Sequence, residues 1–257
     1  MKKILFAYLV FITLIPNIYA LEWKNLKSTH FIIYYKKADM VFLNRIKDYL
    51  ENYYQKITDD IGFTRYNNFW IWENRAKVYI YDTKKEYIMD TNQPEWSFGS
   101  ADVKNKIIIT YYGVSEKEFF DKVVLHELVH IIFREFVGFS GNIYLWLDEG
   151  VAEFFSKDYS FMLPLIRSAI KENKFIPISS LPQASLDGLN EEQVKLFYLE
   201  SGAIIYYLIN NYGKANFVGF CRALRDGRSL DNALYSNYPI KNIDELNKRV
   251  INYFSNG

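Results

Sequence analysis

The positions of strand-like and helix-like segments limit the fold of this chain more than any other feature. Runs of β-branched and aromatic residues at 30–37, 77–82 and 105–112 predict strands, and all three lie in the first half of the sequence. Helical spacing over 38–62 predicts one helix that ends at Gly62. We therefore expect an α+β fold, with a small sheet in a strand-containing N-terminal lobe and an all-helical C-terminal lobe. The other predicted helices are 115–137, 143–159, 161–173, 191–211, 214–226 and 243–254.

Segments rich in turn-forming residues separate these elements. Residues 91–102 predict a loop, as do 140–142 and the Pro- and Ser-rich connector 176–188. Half of the 257 residues are hydrophobic, which is enough to bury a sizeable core. No internal repeat or low-complexity linker divides the sequence, so we expect residues 21–257 to form one domain.

The first twenty residues predict a secretory signal peptide. Lys2 and Lys3 precede an apolar run, Ile4 to Ile15, which is followed by Pro16 and the small residue Ala20. The run is shorter than the roughly 20 residues that span a bilayer, so no stable membrane span is expected after cleavage. An uncleaved membrane anchor is the alternative. Cleavage predicts a secreted or periplasmic protein.

Charge and cysteine content argue against nucleic-acid binding and exclude an internal disulfide. Positive and negative side chains are interspersed and the net charge is +1, so no basic stripe is available to follow nucleic-acid phosphates. We expect no nucleic-acid partner. Cys221 is the only cysteine, so no internal disulfide can form, and its apolar neighbours predict a buried, unreactive thiol.

Two of the three histidines lie four residues apart in the segment VVLHELVHIIFREF. A helix is expected here independently, because Ser115 and Glu118 form a capping-box pattern before it. Positions i and i+4 share one face of a helix, so His126 and His130 can bind the same ion. Glu127 is rotated by about 100° from His126 and can sit beside that ion without binding it. A catalytic metal site of this kind needs a third protein ligand.

Glu149 is the candidate for the third ligand. Eighteen residues separate it from His130, and it lies within WLDEGVAEF on the next predicted helix. The sequence thus contains HExxH, then 18 residues, then a glutamate within DEG. This pattern resembles that of the gluzincin zinc metallopeptidases, the clan of thermolysin and the aminopeptidase N-like enzymes. The smaller peptidase MA-like proteins of bacteria are the most similar. Two further segments, STHFIIYY and FYLESGAIIYYLINNYG, resemble the opening strand and a later helix of such domains.

The resemblance implies a zinc-dependent metallopeptidase that hydrolyses peptide bonds of a peptide or protein substrate. It assigns Zn²⁺ to His126, His130 and Glu149, and it makes Glu127 the general base that activates water. The Gly-rich, GAMEN-like loop of the aminopeptidases does not precede the histidines, which argues against an aminopeptidase and leaves an endopeptidase or an unusual substrate open.

A further donor is expected to stabilise the oxyanion that forms during hydrolysis. In the gluzincins this donor is a Tyr or a His of the helical lobe, and no histidine follows His130 in this sequence. Tyr198 is therefore the candidate, with Tyr206 and Tyr207 behind it. Each of these tyrosines can instead simply pack its helix.

Two other interpretations stay open on the sequence. The site can hydrolyse a non-peptide amide, or the chain can be an exported binding or envelope-assembly protein with a structural or degenerate zinc site. A structural site needs no base beside the metal, so the presence of Glu127 favours catalysis.

The sequence also supports expectations about four other features. Glu153 lies one helical turn after Glu149, and it either accepts the outer N–H of a zinc-binding histidine or is a solvated surface residue. Asp148 is expected off the metal face, bound to a backbone or neighbouring group. Strand 107–110 is expected at a sheet edge, where an extended substrate can pair with it. His30 is expected to be packed or hydrogen-bonded in its strand.

Overall fold

The computed structural model of the protein describes residues 22–62, 70–95, 97–112, 123–138, 143–181, 186 and 188–256. Several sequence predictions lie outside these residues. They are the signal peptide at 1–20, the capping box of Ser115 and Glu118, and the loop at 140–142.

Five strands form one mixed sheet in the N-terminal part of the described chain. They are β1 (Lys24–Lys27), β2 (Phe31–Tyr35), β3 (Ala76–Tyr81), β4 (Gly99–Asp102) and β5 (Ile107–Tyr111). The order across the sheet is β1-β2-β3-β5-β4. The three central strands, β2, β3 and β5, are parallel, whereas β1 and β4 are antiparallel to their neighbours and form the edges. The three strands that the sequence predicts are therefore the parallel centre of the sheet.

The prediction that strand 107–110 lies at a sheet edge is wrong. β5 pairs with β3 on one side and with β4 on the other, so both of its sides are bonded. The edge belongs to β4, which falls in the segment 91–102 that was predicted to be a loop. The sequence of β4, GSAD, has a single apolar side chain, and its extended shape comes from backbone pairing with β5.

Helix α1, Met40–Ile61, connects the parallel strands β2 and β3. The side chain of Asp39 caps its first turn by accepting hydrogen bonds from two backbone N–H groups. The helix ends at Gly62, whose φ of 78° is in the left-handed region that favours glycine. The helix predicted over 38–62 is confirmed.

The other α-helices follow β3 and the later part of the sheet. Helix α2, Lys84–Thr91, follows β3, and the later helices are α3 (Leu125–Val137), α4 (Leu145–Ser156), α5 (Leu163–Lys171), α6 (Glu191–Tyr212), α7 (Lys214–Arg225), α8 (Leu230–Asn237) and α9 (Ile243–Ser255). The α+β fold, with a small sheet before an all-helical part, is confirmed. Helices α2 and α8 and strand β1 were not predicted. Within the described ranges, every helix is too short or too polar to span a membrane.

One hydrophobic core joins the sheet to the helices. It contains Ile33 and Val78 from the sheet together with Leu128 and Ile132 from α3. Helix α3 contacts α1, β4, α4 and α7, so it is held by both parts of the fold. The helix with the two histidines therefore has little freedom to move.

Candidate metal centre

Helices α3 and α4 bring together the histidine pair and Glu149. The Nε2 atoms of His126 and His130 are 3.1 Å apart. Oε2 of Glu149 lies 3.4 Å from Nε2 of His126 and 3.3 Å from Nε2 of His130. The three ligand atoms thus form a nearly equilateral triangle.

The size of this triangle fits a tetrahedrally coordinated metal ion. Ligand atoms at the usual zinc distance of ~2.0–2.1 Å, arranged tetrahedrally, lie about 3.3–3.4 Å from one another. In addition, Oε2 of Glu149 is buried and has no hydrogen-bond partner among the described residues. A buried carboxylate oxygen without a partner is costly unless a cation binds it. His126, His130 and Glu149 can therefore hold a metal and leave a fourth position open.

Helix α4, which contributes Glu149, is held by an unusually close contact with α6. A Cβ atom on Gly150 would overlap the backbone carbonyl of Ser201. Glycine is therefore required at the position that follows Glu149, and this accounts for the glycine of the DEG sequence. The contact sets the depth at which Glu149 projects towards the histidines.

Asp148 lies beside the outer nitrogen of His130. Its Oδ1 atom is 3.3 Å from Nδ1 of His130, and its Oδ2 atom accepts a hydrogen bond of 2.9 Å from Nε of Arg134. The sequence predicted only a bond to a neighbouring group, which Arg134 provides. The contact with His130 was missed. Arg134 lies one helical turn after His130 on α3, but the packing of α4 that brings Asp148 to both residues has no signal in the sequence.

Glu153 occupies the equivalent position beside His126. Its Oε1 atom is 3.7 Å from Nδ1 of His126, and Nζ of Lys157 binds both carboxylate oxygens at 2.6 and 2.5 Å. Glu153 is buried, so the alternative of a solvated surface residue is wrong. Each histidine therefore has a carboxylate at its outer nitrogen, and each carboxylate has a cation of its own. Such partners orient metal-binding histidines.

The electrostatics of the site are dominated by carboxylates around two histidines. Desolvation opposes the charged form of His130, but the Asp148 and Glu149 carboxylates raise its pKa well above the ordinary value. Burial opposes the charged form of Glu149, but His130 and His126 lower its pKa overall. The site is thus built to hold positive charge.

Glu127 is partly buried next to this triangle. Burial raises its pKa, and positive charge on His130 and His126 acts in the opposite direction. A carboxylate with a raised pKa is a stronger base than one in water. The position and the direction of the shift both suit proton transfer at the site.

Tyr198 lies near the histidines, whereas the two tyrosines behind it do not face them. The ring centroids of Tyr198 and His126 are 6.5 Å apart, and both side chains line one cleft. Burial, followed by the charge of Glu149, raises the pKa of Tyr198, so its hydroxyl stays protonated and able to donate. Tyr206 packs against Tyr159, Phe154 and Phe254, and the hydroxyl of Tyr207 lies 3.1 Å from that of Tyr212.

The third histidine is separate from this cluster. Nδ1 of His30 lies 2.5 Å from a carboxylate oxygen of Glu51, and its ring stacks on Tyr54. The prediction of a packed, hydrogen-bonded histidine is confirmed. Cys221 is fully buried, as predicted, and burial raises the pKa of its thiol.

Comparison with known proteins identifies the family. The model of the peptidase MA superfamily matches residues 57–256, a range that includes α3, α4 and α6. A comparison with the curated proteins gave no match. The family match confirms the resemblance noted in the sequence and supports a metallopeptidase-like domain. The chain belongs to the peptidase MA superfamily.

Proposed function

We propose that this protein is an exported, zinc-dependent metallopeptidase that hydrolyses peptide bonds of a peptide or protein substrate. The observation that carries the proposal is the triangle of ligand atoms, with sides of 3.1 to 3.4 Å. In the proposal His126, His130 and Glu149 bind the zinc ion. Glu127 is the general base and Tyr198 is the oxyanion donor.

A bound zinc ion supplies a Lewis acid that polarises the scissile carbonyl and makes water more acidic. The carboxylate of Glu127 takes a proton from the attacking water and later delivers it to the leaving amine. The protonated hydroxyl of Tyr198 donates a hydrogen bond to the carbonyl oxygen as negative charge develops there. Membership of the superfamily and the arrangement of these side chains support this assignment.

In this mechanism Asp148 and Glu153, the carboxylates beside the Nδ1 atoms of the two histidines, position the zinc ligands. The carboxylates of Asp148 and Glu153 lie 3.3 Å from Nδ1 of His130 and 3.7 Å from Nδ1 of His126, and their negative charge favours a proton on each Nδ1 atom, which leaves each Nε2 atom free for the metal. Their own negative charge is balanced by Arg134 and Lys157. The histidines can then bind metal in their neutral form.

The edge strand β4 is the proposed docking site for an extended substrate. β4 pairs with β5 on one side, and no other described strand pairs with its second side. A Cβ atom on Gly99 would lie 2.5 Å from Cγ1 of Val123, so the start of β4 lies against the residues that lead into α3. A peptide added to this edge by backbone hydrogen bonds would pass close to the histidines.

The test compares wild type with Glu127→Gln and Glu149→Ala. We expect one zinc ion per chain in wild type and in Glu127→Gln, and a loss of zinc from Glu149→Ala, as measured by elemental analysis. Glu127→Gln should lower the rate of casein cleavage by roughly 10²–10⁴-fold with little change in melting temperature. Glu191→Gln, an exposed carboxylate at the start of α6, is the matched control and should behave as wild type.

Two outcomes would contradict the proposal. Wild type that binds no zinc would exclude the metal site. Wild type that binds zinc but cleaves neither casein nor a peptide pool would favour a binding or envelope-assembly protein with a structural site. Export is tested separately, because protein recovered outside the cytoplasm should begin at Leu21.

A further inference from the structure

We infer that a polar groove between the C-terminal half of α6 and helix α9 binds a neutral oligosaccharide, with a sugar ring packed on Tyr253. The groove is a cavity of about 520 Å³, within the range of ~300–1,000 Å³ that is usual for small-ligand sites. Its lining residues are Tyr207, Asn211, Arg249, Asn252, Tyr253 and Asn256. The inference goes beyond the proposed function, because none of these residues belongs to the metal centre.

The groove shares helix α6 with the metal centre but lies further along it. Tyr207 and Asn211 lie one turn apart on α6, and Tyr207 comes nine residues after Tyr198. At a rise of 1.5 Å per residue, Tyr207 is about 14 Å along the helix from the proposed oxyanion donor. A ligand can therefore bind in the groove without contacting the metal ligands.

Every side chain in the lining can form hydrogen bonds. Three are asparagine amides, which both donate and accept. The hydroxyl groups of a sugar also donate and accept, so they can use both halves of each amide. Asn211 and Asn252 are exposed, and their side-chain amides have no hydrogen-bond partner among the described residues. These two amides are available to a ligand.

The charge of Arg249 is already balanced within the protein. Its Nε and Nη2 atoms donate to Oε1 of Glu245 at 3.0 and 2.6 Å, and its Nη1 atom donates to the hydroxyl of Tyr212 at 3.1 Å. A guanidinium group has five N–H groups, so two of them have no partner among the described residues. The lining contains no carboxylate in the described part of the chain. Free donors without an unbalanced charge favour a neutral ligand over an ion.

Tyr253 provides an aromatic surface whose orientation is held by its neighbours. Its ring centroid lies 5.3 Å from that of Tyr207 and 5.0 Å from that of Phe254, and both contacts are edge to face. The residue is nevertheless 38% exposed. The C–H face of a sugar ring can pack on this surface and bury apolar area, while its hydroxyl groups reach the amides.

A peptide fits this lining less well than a sugar. The side chains that anchor a bound peptide fill apolar pockets, and the described lining has no aliphatic side chain. A charged chain terminus would need an unpaired charge, and the charge of Arg249 is paired with Glu245. The composition of the lining therefore favours a sugar.

The experiment exposes the labelled mature protein to an array of neutral di- to tetrasaccharides of hexose and N-acetylhexosamine. The Kd of each retained sugar is then measured by isothermal titration calorimetry. Wild type should retain at least one of them, with the same Kd in zinc and in a chelator. Asn211→Ala should raise this Kd roughly 2- to 12-fold through the loss of one hydrogen bond, and Tyr253→Ala should raise it on the order of 10-fold.

Two matched controls should bind as wild type does. Asn210 is exposed beside Asn211 on α6, and Tyr235 is 69% exposed on α8, but neither lines the groove. The controls are therefore Asn210→Ala and Tyr235→Ala. If Tyr253→Ala lowers the melting temperature, Asn211→Ala decides the test, because a change at an exposed helix position leaves the fold intact.

The inference would be overturned if wild type retained no neutral sugar, or if neither groove variant raised the Kd. A rise in Asn211→Ala alone, with Tyr253→Ala folded, would reject the packing of a sugar on Tyr253. A pool of random decapeptides is tested in parallel. Retention of peptides that both groove variants abolish, without retention of sugars, would assign the groove to peptides. Zinc content should match wild type in every groove variant, so these outcomes leave the proposed function untouched.

Discussion

The unfolding free energy of the protein is expected to fall between pH 5 and pH 8 because of Glu200. Replacing Glu200 by glutamine should remove much of this fall. Glu200 is fully buried in α6. Its Oε1 atom accepts a hydrogen bond of 2.9 Å from the backbone N–H of Ile176, and its Oε2 atom has no partner among the described residues. Burial raises the pKa of this carboxyl from 4.5 to about 8.

The sign follows from the protons bound in each state. Between pH 4.5 and 8 the folded protein holds a proton on Glu200 that the unfolded chain releases, so stability falls as the pH rises. Each pH unit in this window costs about 1.4 kcal/mol, which amounts to about 4 kcal/mol between pH 5 and pH 8. Glutamine keeps an oxygen for the N–H of Ile176 and has no proton to lose. Its extra amide group shifts stability equally at every pH.

The assay is urea unfolding of wild type, Glu200→Gln and Glu191→Gln at pH 5, 6, 7 and 8, in a chelator so that metal binding does not contribute. The difference in unfolding free energy between Glu200→Gln and wild type should grow in favour of the variant by about 4 kcal/mol across this range. Glu191 is exposed on the same helix, so its variant should follow wild type. A difference that stays constant with pH would refute the reasoning.

Three further perturbations address the site. Gly150→Ala should lower the unfolding free energy by about 1–3 kcal/mol in chemical denaturation and should weaken zinc binding, because the added Cβ atom overlaps the carbonyl of Ser201 and moves the neighbouring ligand. Asp148→Asn should weaken zinc affinity by roughly 10- to 100-fold in a competition with a chelating dye, because the outer nitrogen of His130 loses the carboxylate charge beside it. Tyr198→Phe should lower kcat by roughly 10²–10³-fold with little change in KM, and an unchanged kcat would exclude it as the oxyanion donor.

Local signals in the sequence predicted the parts of the structure that depend on local geometry. Helix α1 was predictable to its last residue, because Gly62 supplies a left-handed cap. The approach of Glu149 to His126 and His130 was predictable, because fixed spacings on two helices and a known family pattern limit where it can lie.

Tertiary contacts decided the parts that the sequence did not predict. Strand β4 carries almost no apolar pattern, and its position at the sheet edge depends on backbone pairing with β5. The pair of Asp148 and Arg134 beside His130 depends on how α4 packs against α3, which residue spacing within one helix does not give. The burial of Glu200 in α6 depends on tertiary contacts such as the hydrogen bond from the backbone N–H of Ile176.

The contact between Gly150 and Ser201 has a consequence for how the protein can move. Glu149 directly precedes Gly150, and Ser201 lies three residues after Tyr198. The two helix backbones are in direct contact there. No side chain at Gly150 separates them, so a change of rotamer cannot relieve the contact. We therefore expect the backbones that carry the proposed metal ligand and the proposed oxyanion donor to move together. Less of their alignment then has to be created when a substrate binds, which lowers the entropy cost of reaching the reactive arrangement.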